Sequence, residues 1–306
     1  MNFVSFVGKE IETRTFSLIV TELYHRNKKK SRENKLDFLP SMLYNRIMRD
    51  TAALAAKEAG KILLSNLGNV KPYLKSKREF VTAADRLAEK KIYEIIKRAF
   101  SDHSILAEEF YDEKEKSAYR WIIDPLDGTN NYVYSYPFFA VSIALEKEGE
   151  VILGIVYDPL RDELFEAEKG RNAKLNGKKI EVTQTSRVKK TRLLTGFPYF
   201  MDRDNNLNNF VKFAIDALEI RVGGSAALDL CYVACGRADG YWELGLKPWD
   251  TAAGKLIVEC ASGKVTDIDG KKFTPYKASI LATNGRIHEE MLKMLSSTNR
   301  LPITDN

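Results

Sequence analysis

Chemistry concentrates in WIIDPLDGTNNY, residues 121–132, where Asp124 and Asp127 stand at the end of an apolar run. Pro125 holds the chain extended, and Asp127-Gly128 reads as a sharp turn. Thr129 and Asn130 then suit the opening of a short helix. Pro-Leu-Asp-Gly is an ordinary turn. What a turn alone does not explain is a carboxylate on each side of it at a strand's end, where α/β sheets bind ligands. Two bare carboxylates that close repel, and one pKa rises unless a cation lies between them. The N–H groups of the new helix suit phosphate. Carboxylates for metal beside N–H groups for phosphate point to metal-assisted phosphoryl chemistry.

The spacing also argues about route. Phosphatases that form an aspartyl-phosphate use Asp-x-Asp, nucleophile and acid two residues apart. Here the spacing is three with a proline between, which favours a metal-activated water as nucleophile. Further acids offer ligands. Glu108-Glu109 closes the run Ser104 to Ala107, and Asp250 opens a helix in KPWDT. Asp85 follows Thr82 at capping-box spacing. Taken singly, a strand-end glutamate is a solvated residue and Asp85 and Asp250 are caps.

The elements that must position these residues follow from periodicity. Residues 42–67 carry Leu43, Ile47, Leu54, Ala55, Ala59, Ile62 and Leu63 at helical spacing, stopped by Gly68. A second helix from Thr82 turns Ala84, Ala88, Ile92, Ile95, Ile96 and Ala99 inward. Strands are expected at 104–107, 121–123, 138–145 and 151–156, the last two joined at Glu148-Gly149-Glu150, with another hairpin at Asn176-Gly177. After about residue 190, strands at 193–196, 240–244, 264–268 and 279–282 alternate with helices at 205–218, 225–237, 249–262 and 286–296. Mixed elements in both halves, 42–190 and 191–306, predict a layered α/β or α+β architecture.

Composition bounds the rest. The 306 residues are 44% apolar and 29% charged, enough for a sizeable core. Three cysteines and three histidines leave no material for a disulfide framework or a His/Cys zinc site, so a reducing cytoplasm and oxygen-ligand metal chemistry are expected. No apolar run is long enough to span a bilayer. The net charge of +6 is unevenly spread, with eight basic against five acidic side chains in residues 1–41. That extension, with its Arg26 to Lys30 basic run, reads as a disordered appendage, or as untranslated if synthesis starts at Met42.

Taken together, AEE at 107–109, DPLDGTNNY at 124–132 and KPWDTAAG at 247–254 resemble, in order, the signatures of the inositol monophosphatase family. So do FVTAAD at 80–85, NGKKI at 176–180 and GSAALDLCYVACGRADGYWE at 224–243. The likeness covers about 42–296, and the last stretch is closest to bacterial members of the inositol monophosphatase branch. It implies a layered α/β/α/β/α sandwich of the sugar-phosphatase type, a homodimer, two or three Mg²⁺ ions and inhibition by Li⁺. By the same resemblance Glu108, Asp124, Asp127, Asp250 and the Leu126 carbonyl match metal ligands. Glu108 and Thr129 match residues that position the attacking water, and Asp85 the partner of that threonine. Gly128 and Thr129 N–H groups match phosphate donors. Asp127, Gly224, Ser225, Ala226, Glu243 and Asp250 match contacts to sugar or inositol hydroxyls, which carboxylates suit as multiple acceptors. Lys75 corresponds loosely to a lysine of a mobile loop, and Ala84 departs from the threonine of some relatives.

The function so implied is Mg²⁺-dependent hydrolysis of a small phosphate monoester, inositol monophosphate first, by a cytoplasmic enzyme. Alternatives are fructose-1,6-bisphosphatase activity, alone or dual, which the basic segment Lys71 to Arg78 leaves open, and a nucleotide 3′-phosphatase. A different class is an interaction role with transcription or RNA machinery. Cys231 and Cys235 read as core packing, His103 as a surface or capping residue, and the aromatics from Tyr132 to Phe139 as core and interface. No membrane contact is expected.

Overall fold

The computed structural model describes residues 41–69, 71–74, 80–113, 117–197 and 204–297. The predicted extension through residue 40, and Lys75, lie outside them. Helix α1 (Ser41–Asn66) turns a face of small residues inward: Met48, Ala52, Ala55, Ala56, Ala59 and Leu63 are buried. Leu43, Ile47, Leu54 and Ile62, expected on that face, flank it half-buried. Small residues occupy the centre because the helix lies tight against the neighbouring sheet. A Cβ on Gly60 would stand 2.6 Å from the Tyr157 ring.

Strand β1 (Tyr73–Leu74) pairs antiparallel with β2 (Phe80–Val81). Helix α2 (Ala83–Ala99) starts at the predicted box, Thr82 capping and Asp85 bonding back. The larger sheet follows sequence order: β3 (Ser104–Ala107), β4 (Tyr119–Asp127), β5 (Ala140–Lys147), β6 (Glu150–Asp158), β7 (Glu163–Glu168), β8 (Lys174–Leu175) and β9 (Lys178–Lys179). Only β3 and β4 pair parallel in it. Both predicted hairpin turns are present, with Glu148, Gly149, Asn176 and Gly177 at positive φ. β7 was not foreseen, since ELFEAE alternates without a continuous apolar run.

Helix α3 (Thr129–Val133) is the short helix after the DPLDG segment. In the second half come β10 (Arg192–Thr195), α4 (Asp204–Asp216), β11 (Glu219–Val222), α5 (Ala226–Ala234), β12 (Gly240–Leu244), α6 (Pro248–Cys260), β13 (Lys264–Thr266), β14 (Ser279–Thr283) and α7 (His288–Ser296). The second sheet has the order β11-β10-β12-β14-β13, parallel from β11 to β12 and antiparallel beyond. Three apolar clusters define five layers. One lies between α1–α2 and the larger sheet, one around α5–α6 between the sheets, and one under α4 and α7 on the outer face of the second sheet. This is the α/β/α/β/α sandwich.

His103 corrects an expectation. It is buried, stacked between Phe100 and Tyr119 at 4.8 and 4.6 Å, and its Nδ1 accepts from Trp121 Nε1 at 3.1 Å. The aromatic shelf of Phe100, Tyr119 and Trp121 has room for a flat ring and supplies its donor, which the local sequence does not reveal. Among the described residues no helix is long and apolar enough to cross a membrane.

The middle layer is tight. A Cβ on Gly154 of β6 would stand 2.7 Å from the Ala253 carbonyl oxygen of α6. Rigid backbone cannot yield there, so Gly154→Ala should destabilise by about 1–3 kcal/mol, read as a lower urea midpoint at unchanged slope.

Candidate active site

Strand alternation dictates where β4 sends its carboxylates. Trp121 and Ile123 face α1 and α2, while Ile122 faces the middle layer. Asp124, two residues on, shares the face of Ile122 and so points toward α5 and α6. By strict alternation Asp127 would point away, because it lies an odd number of residues from Asp124. The pairing of β4 with β5 shifts between Asp124 and Asp127, a bulge at Pro125-Leu126. Leu126 consequently joins the outer cluster with Ile123, and Asp127 comes round to the same face as Asp124.

Asp124 Oδ1 accepts the Leu126 N–H at 2.9 Å. Asp127 Oδ2 accepts Ser225 Oγ at 2.5 Å and the Ala227 N–H at 2.7 Å, both at the start of α5. Ser225 is also the N-cap of that helix. Asp250 sits in the first turn of α6, and its Oδ2 accepts the Lys247 N–H at 2.7 Å. Ser142, opposite Asp124 in β5, donates to the Trp249 carbonyl at 3.2 Å and holds the start of α6 to the sheet. Glu108, half-buried, directly follows β3, whose last residue Ala107 pairs with Ile123 of β4.

On the other side of the turn, Thr129 Oγ1 lies 3.2 Å from Asp85 Oδ1 and 3.0 Å from the Leu126 carbonyl. Asp85 Oδ2 is held by the Thr82 N–H and hydroxyl at 3.0 and 2.6 Å. Gly128 stands at φ 93, and a Cβ there would meet the Phe138 and Gly224 carbonyls at 3.0 and 3.1 Å. Glycine is required twice over, for its φ and for the approach of the 223–225 loop. Asn131 Nδ2 completes the join, donating to the carbonyls of Phe138 and Gly223 at 2.7 and 2.9 Å. On β12, Tyr241 and Glu243 share a face, and the tyrosine hydroxyl donates to Glu243 Oε2 at 2.5 Å.

Electrostatics bind the group together. Burial pushes Asp124 well above the usual carboxylate range, and the negative fields of Glu108, Asp127 and Asp250 add to it. Asp250 is raised well above its ordinary value by burial and then by Asp127. Burial brings Asp127 to about 6 against the donors from Ser225, Ala227 and Ala226. It brings Asp85 to about 6 against its Thr82 bonds, and Glu243 to about 7.

The sequence-predicted site residues therefore meet in one crevice. Asp85, Glu108, Asp124, Leu126, Asp127, Gly128 and Thr129 come from the start of α2, the ends of β3 and β4 and the start of α3; Gly224, Ser225, Ala226, Glu243 and Asp250 come from the starts of α5 and α6 and from β12. Among the described residues no three His, Cys, Asp or Glu side chains stand as a ready-made cation cage. The donor set nonetheless fits a hard divalent cation. It is all oxygen, no Lys or Arg side chain among the described residues bonds Asp124, Asp127 or Asp250, and Asp124 Oδ2 and Asp250 Oδ1 accept no hydrogen bond from those residues.

Two buried acids escaped the sequence reading. Asp229, in the first turn of α5, is raised well above its ordinary value by burial and then by Glu243 and Asp127, and its Oδ1 has no hydrogen-bond partner among the described residues. Glu89, on the inward face of α2, bonds the loop after β3. The available signal was a charge interrupting an apolar face, at Ala88-Glu89 and in Ala226 to Ala234. Cys231 and Cys235 pack in or against the middle layer, and burial pushes both thiols up.

A five-layer sandwich with an acid-lined crevice at strand ends is the frame of a sugar-phosphatase-type protein. Residues 45–300 match the inositol monophosphatase family. The chain is 44% identical to an inositol-1-monophosphatase of Synechocystis sp. over 268 residues, 85% of this chain and 92% of that one. It is 40% identical to the Nus factor SuhB of Pasteurella multocida over 257 residues, 81% of this chain and 95% of that one. The crystal structure of the extragenic suppressor protein suhB from Bartonella henselae superposes with a TM-score of 0.79 at 38% identity, covering 82% of this chain and 98% of that one. The chain belongs to the inositol monophosphatase family and is a phosphatase of that family.

The raised carboxyls fix a pH dependence. Each binds its proton more tightly folded than unfolded, so the stability it adds is present at low pH and lost as pH rises through its folded value, about 6 for Asp85 and Asp127 and about 7 for Glu243. His288, lowered by burial to about 4 from 6.5, acts oppositely, but only below 6.5. Metal-free protein should thus melt at lower temperature at about pH 8 than at about pH 6.5, and a bound divalent cation should reverse the loss at the higher pH. Thermal melts in chelator across that window check it; a flat or rising profile removes the buried acid cluster.

Proposed function

We propose that the chain hydrolyses a small phosphate monoester, inositol monophosphate first, with Mg²⁺ as cofactor. The observation that carries this reading is the convergence of Asp124, Asp127, Asp250 and Glu108 on one field, beside the Asp85–Thr129 pair at 3.2 Å. Glu108, Asp124, Asp127, Asp250 and the Leu126 carbonyl would hold two or three ions. Bound there, the metal supplies Lewis-acid stabilisation of the phosphoryl charge and acidifies water.

The chain's own groups do the positioning. A threonine hydroxyl has one proton to give. When that proton is directed to Asp85 in a hydrogen bond, the lone pairs of Thr129 turn outward to accept a hydrogen bond from the attacking water, and Glu108 accepts the second hydrogen bond from the same water. The opening N–H groups of α3 have no acceptor within that helix, so Gly128 and Thr129 are available to phosphate oxygens. Glu243, Asp127, Asp250 and Ser225, with the backbone at Gly224 and Ala226, line the place for the alcohol, where carboxylates accept from several ring hydroxyls. The reading includes a cytoplasmic homodimer inhibited by Li⁺. The name of the Synechocystis relative favours inositol 1-phosphate.

A second reading rests on relatives at about 40% identity named Nus factor SuhB: association with transcription machinery, independent of turnover. The experiment that separates the readings is phosphate release from inositol 1-phosphate, fructose 1,6-bisphosphate and 3′-phosphoadenosine 5′-phosphate, with Mg²⁺ or with EDTA. Inositol 1-phosphate should rank first and only with Mg²⁺. Asp124→Asn should lower kcat by at least roughly 10³-fold, about 4 kcal/mol of barrier, with an unchanged circular dichroism spectrum. Full activity in that variant would sink the metal assignment, and no turnover of any ester by folded, metal-loaded protein would leave the association role.

A further inference from the structure

Glu89 is fully buried in α2, one helical turn after Asp85. Residues four apart on a helix share a face, so the face that brings Asp85 to Thr129 also brings Glu89 to the loop leaving β3. Both of its oxygens are used there. Oε2 accepts the Glu109 N–H at 2.8 Å, and Oε1 accepts the Phe110 N–H at 2.7 Å. No Lys or Arg among the described residues pairs with it, and burial pushes its pKa up against those two bonds. A buried carboxyl is costly unless its bonds are made, and here backbone N–H groups alone make them.

The segment it grips is the one that bears Glu108. The chain reverses directly after β3: the Ala107 N–H donates to the Tyr111 carbonyl at 2.6 Å, and Leu106 pairs with Asp112. Tyr111 stacks on Tyr93 of α2 at 4.0 Å, and the Arg86 guanidinium lies 5.2 Å over the Phe110 ring. Those contacts hold the outer part of the loop. Glu89 holds the part adjacent to Glu108.

We propose that Glu89 is a positioning residue of this phosphatase: by binding the Glu109 and Phe110 N–H groups it fixes the loop that aims Glu108 into the crevice. The proposal rests on the assignment of Glu108 above. Glutamine at this position keeps the volume but replaces one acceptor by a donor, which faces a backbone N–H and opens that bond.

The test uses the full chain carrying Glu89→Gln. In metal-free protein, amide exchange in residues 105–113 should quicken about tenfold, while α2 and β4 exchange as in wild type. By calorimetry Mg²⁺ should bind about tenfold more weakly, and kcat should fall about 10- to 100-fold with KM within threefold. A Glu89→Gln, Glu108→Gln double variant should be no slower than Glu108→Gln alone, because the first acts through the second. Should Glu89→Gln fold poorly, Glu89→Met, apolar and similar in size, removes both acceptors and must give the same shifts.

Unchanged Mg²⁺ affinity and kcat in either folded variant, or additive losses in the double variant, overturn the role of Glu89. A wild-type chain that binds Mg²⁺ but hydrolyses no phosphate ester overturns the phosphatase reading instead, and Glu89 is then judged on loop exchange and Mg²⁺ affinity alone.

Discussion

The bond from Asp127 to the start of α5 is the contact on which the site depends. Its carboxylate takes the Ser225 hydroxyl and the Ala227 N–H, so a strand of the first sheet ends on the N-terminus of a helix of the second half. A helix start offers unpaired N–H groups and the positive end of the macrodipole; a carboxylate buried there is stabilised without a cation. The same contact seats the 223–225 loop against Gly128, where no Cβ fits, and Asn131 bonds across the join. Fold closure and site assembly are one event. Residues of the second half join the crevice only when this contact forms.

That closure concentrates negative charge. Asp124, Asp250, Asp229 and Glu243 are all raised by burial, and the negative field of Asp127 adds to each, beside a middle layer packed with Leu, Ala, Val and Cys side chains. An apolar core would be more stable at these positions. The cost is rational only if something positive enters, which is why the electrostatics, rather than any preformed cage, carry the metal reading.

Much of this was legible in the residues. The Thr82-to-Asp85 capping box, the hairpin turns and the helix after Asp127-Gly128 follow from local rules, and the structure has them where they were expected. The signature segments around Asp124 and Asp250 led to the family. What stayed hidden depends on long-range geometry. Nothing in Pro125-Leu126 announces a bulge, yet the bulge alone lets two aspartates an odd distance apart face one way. His103 reads as a polar loop residue until Tyr119 and Trp121 arrive from the next strand to stack on it and donate to it. The inward face of α1 is centred on alanines, which hydropathy ranks below the leucines beside them, because close approach to the sheet favours small side chains. The charge of Glu89 on an apolar face is visible in the sequence, but its partners are backbone groups, which the sequence does not mark.

The buried carboxyls of the site divide by how their oxygens are used, and the division runs parallel to the roles proposed for them. Both oxygens of Glu89 are bound by protein donors; Asp85 is held by Thr82 on one oxygen and met by Thr129 on the other. Such groups have their acceptor capacity committed, and their work is to hold a neighbour still. Asp124 and Asp250 each give one oxygen to a backbone N–H and keep the other without a hydrogen bond among the described residues. The bonded oxygen fixes the rotamer and the other is left for whatever enters the crevice, as a ligating carboxylate requires. Asp127 stands between the classes, with two donors on Oδ2, so it joins the halves and lines the crevice at once. On the proposed reading, the α2 pair lies on one side of the phosphate ester and the Asp124–Asp250 pair on the other, so that backbone N–H donors and acids meet it together.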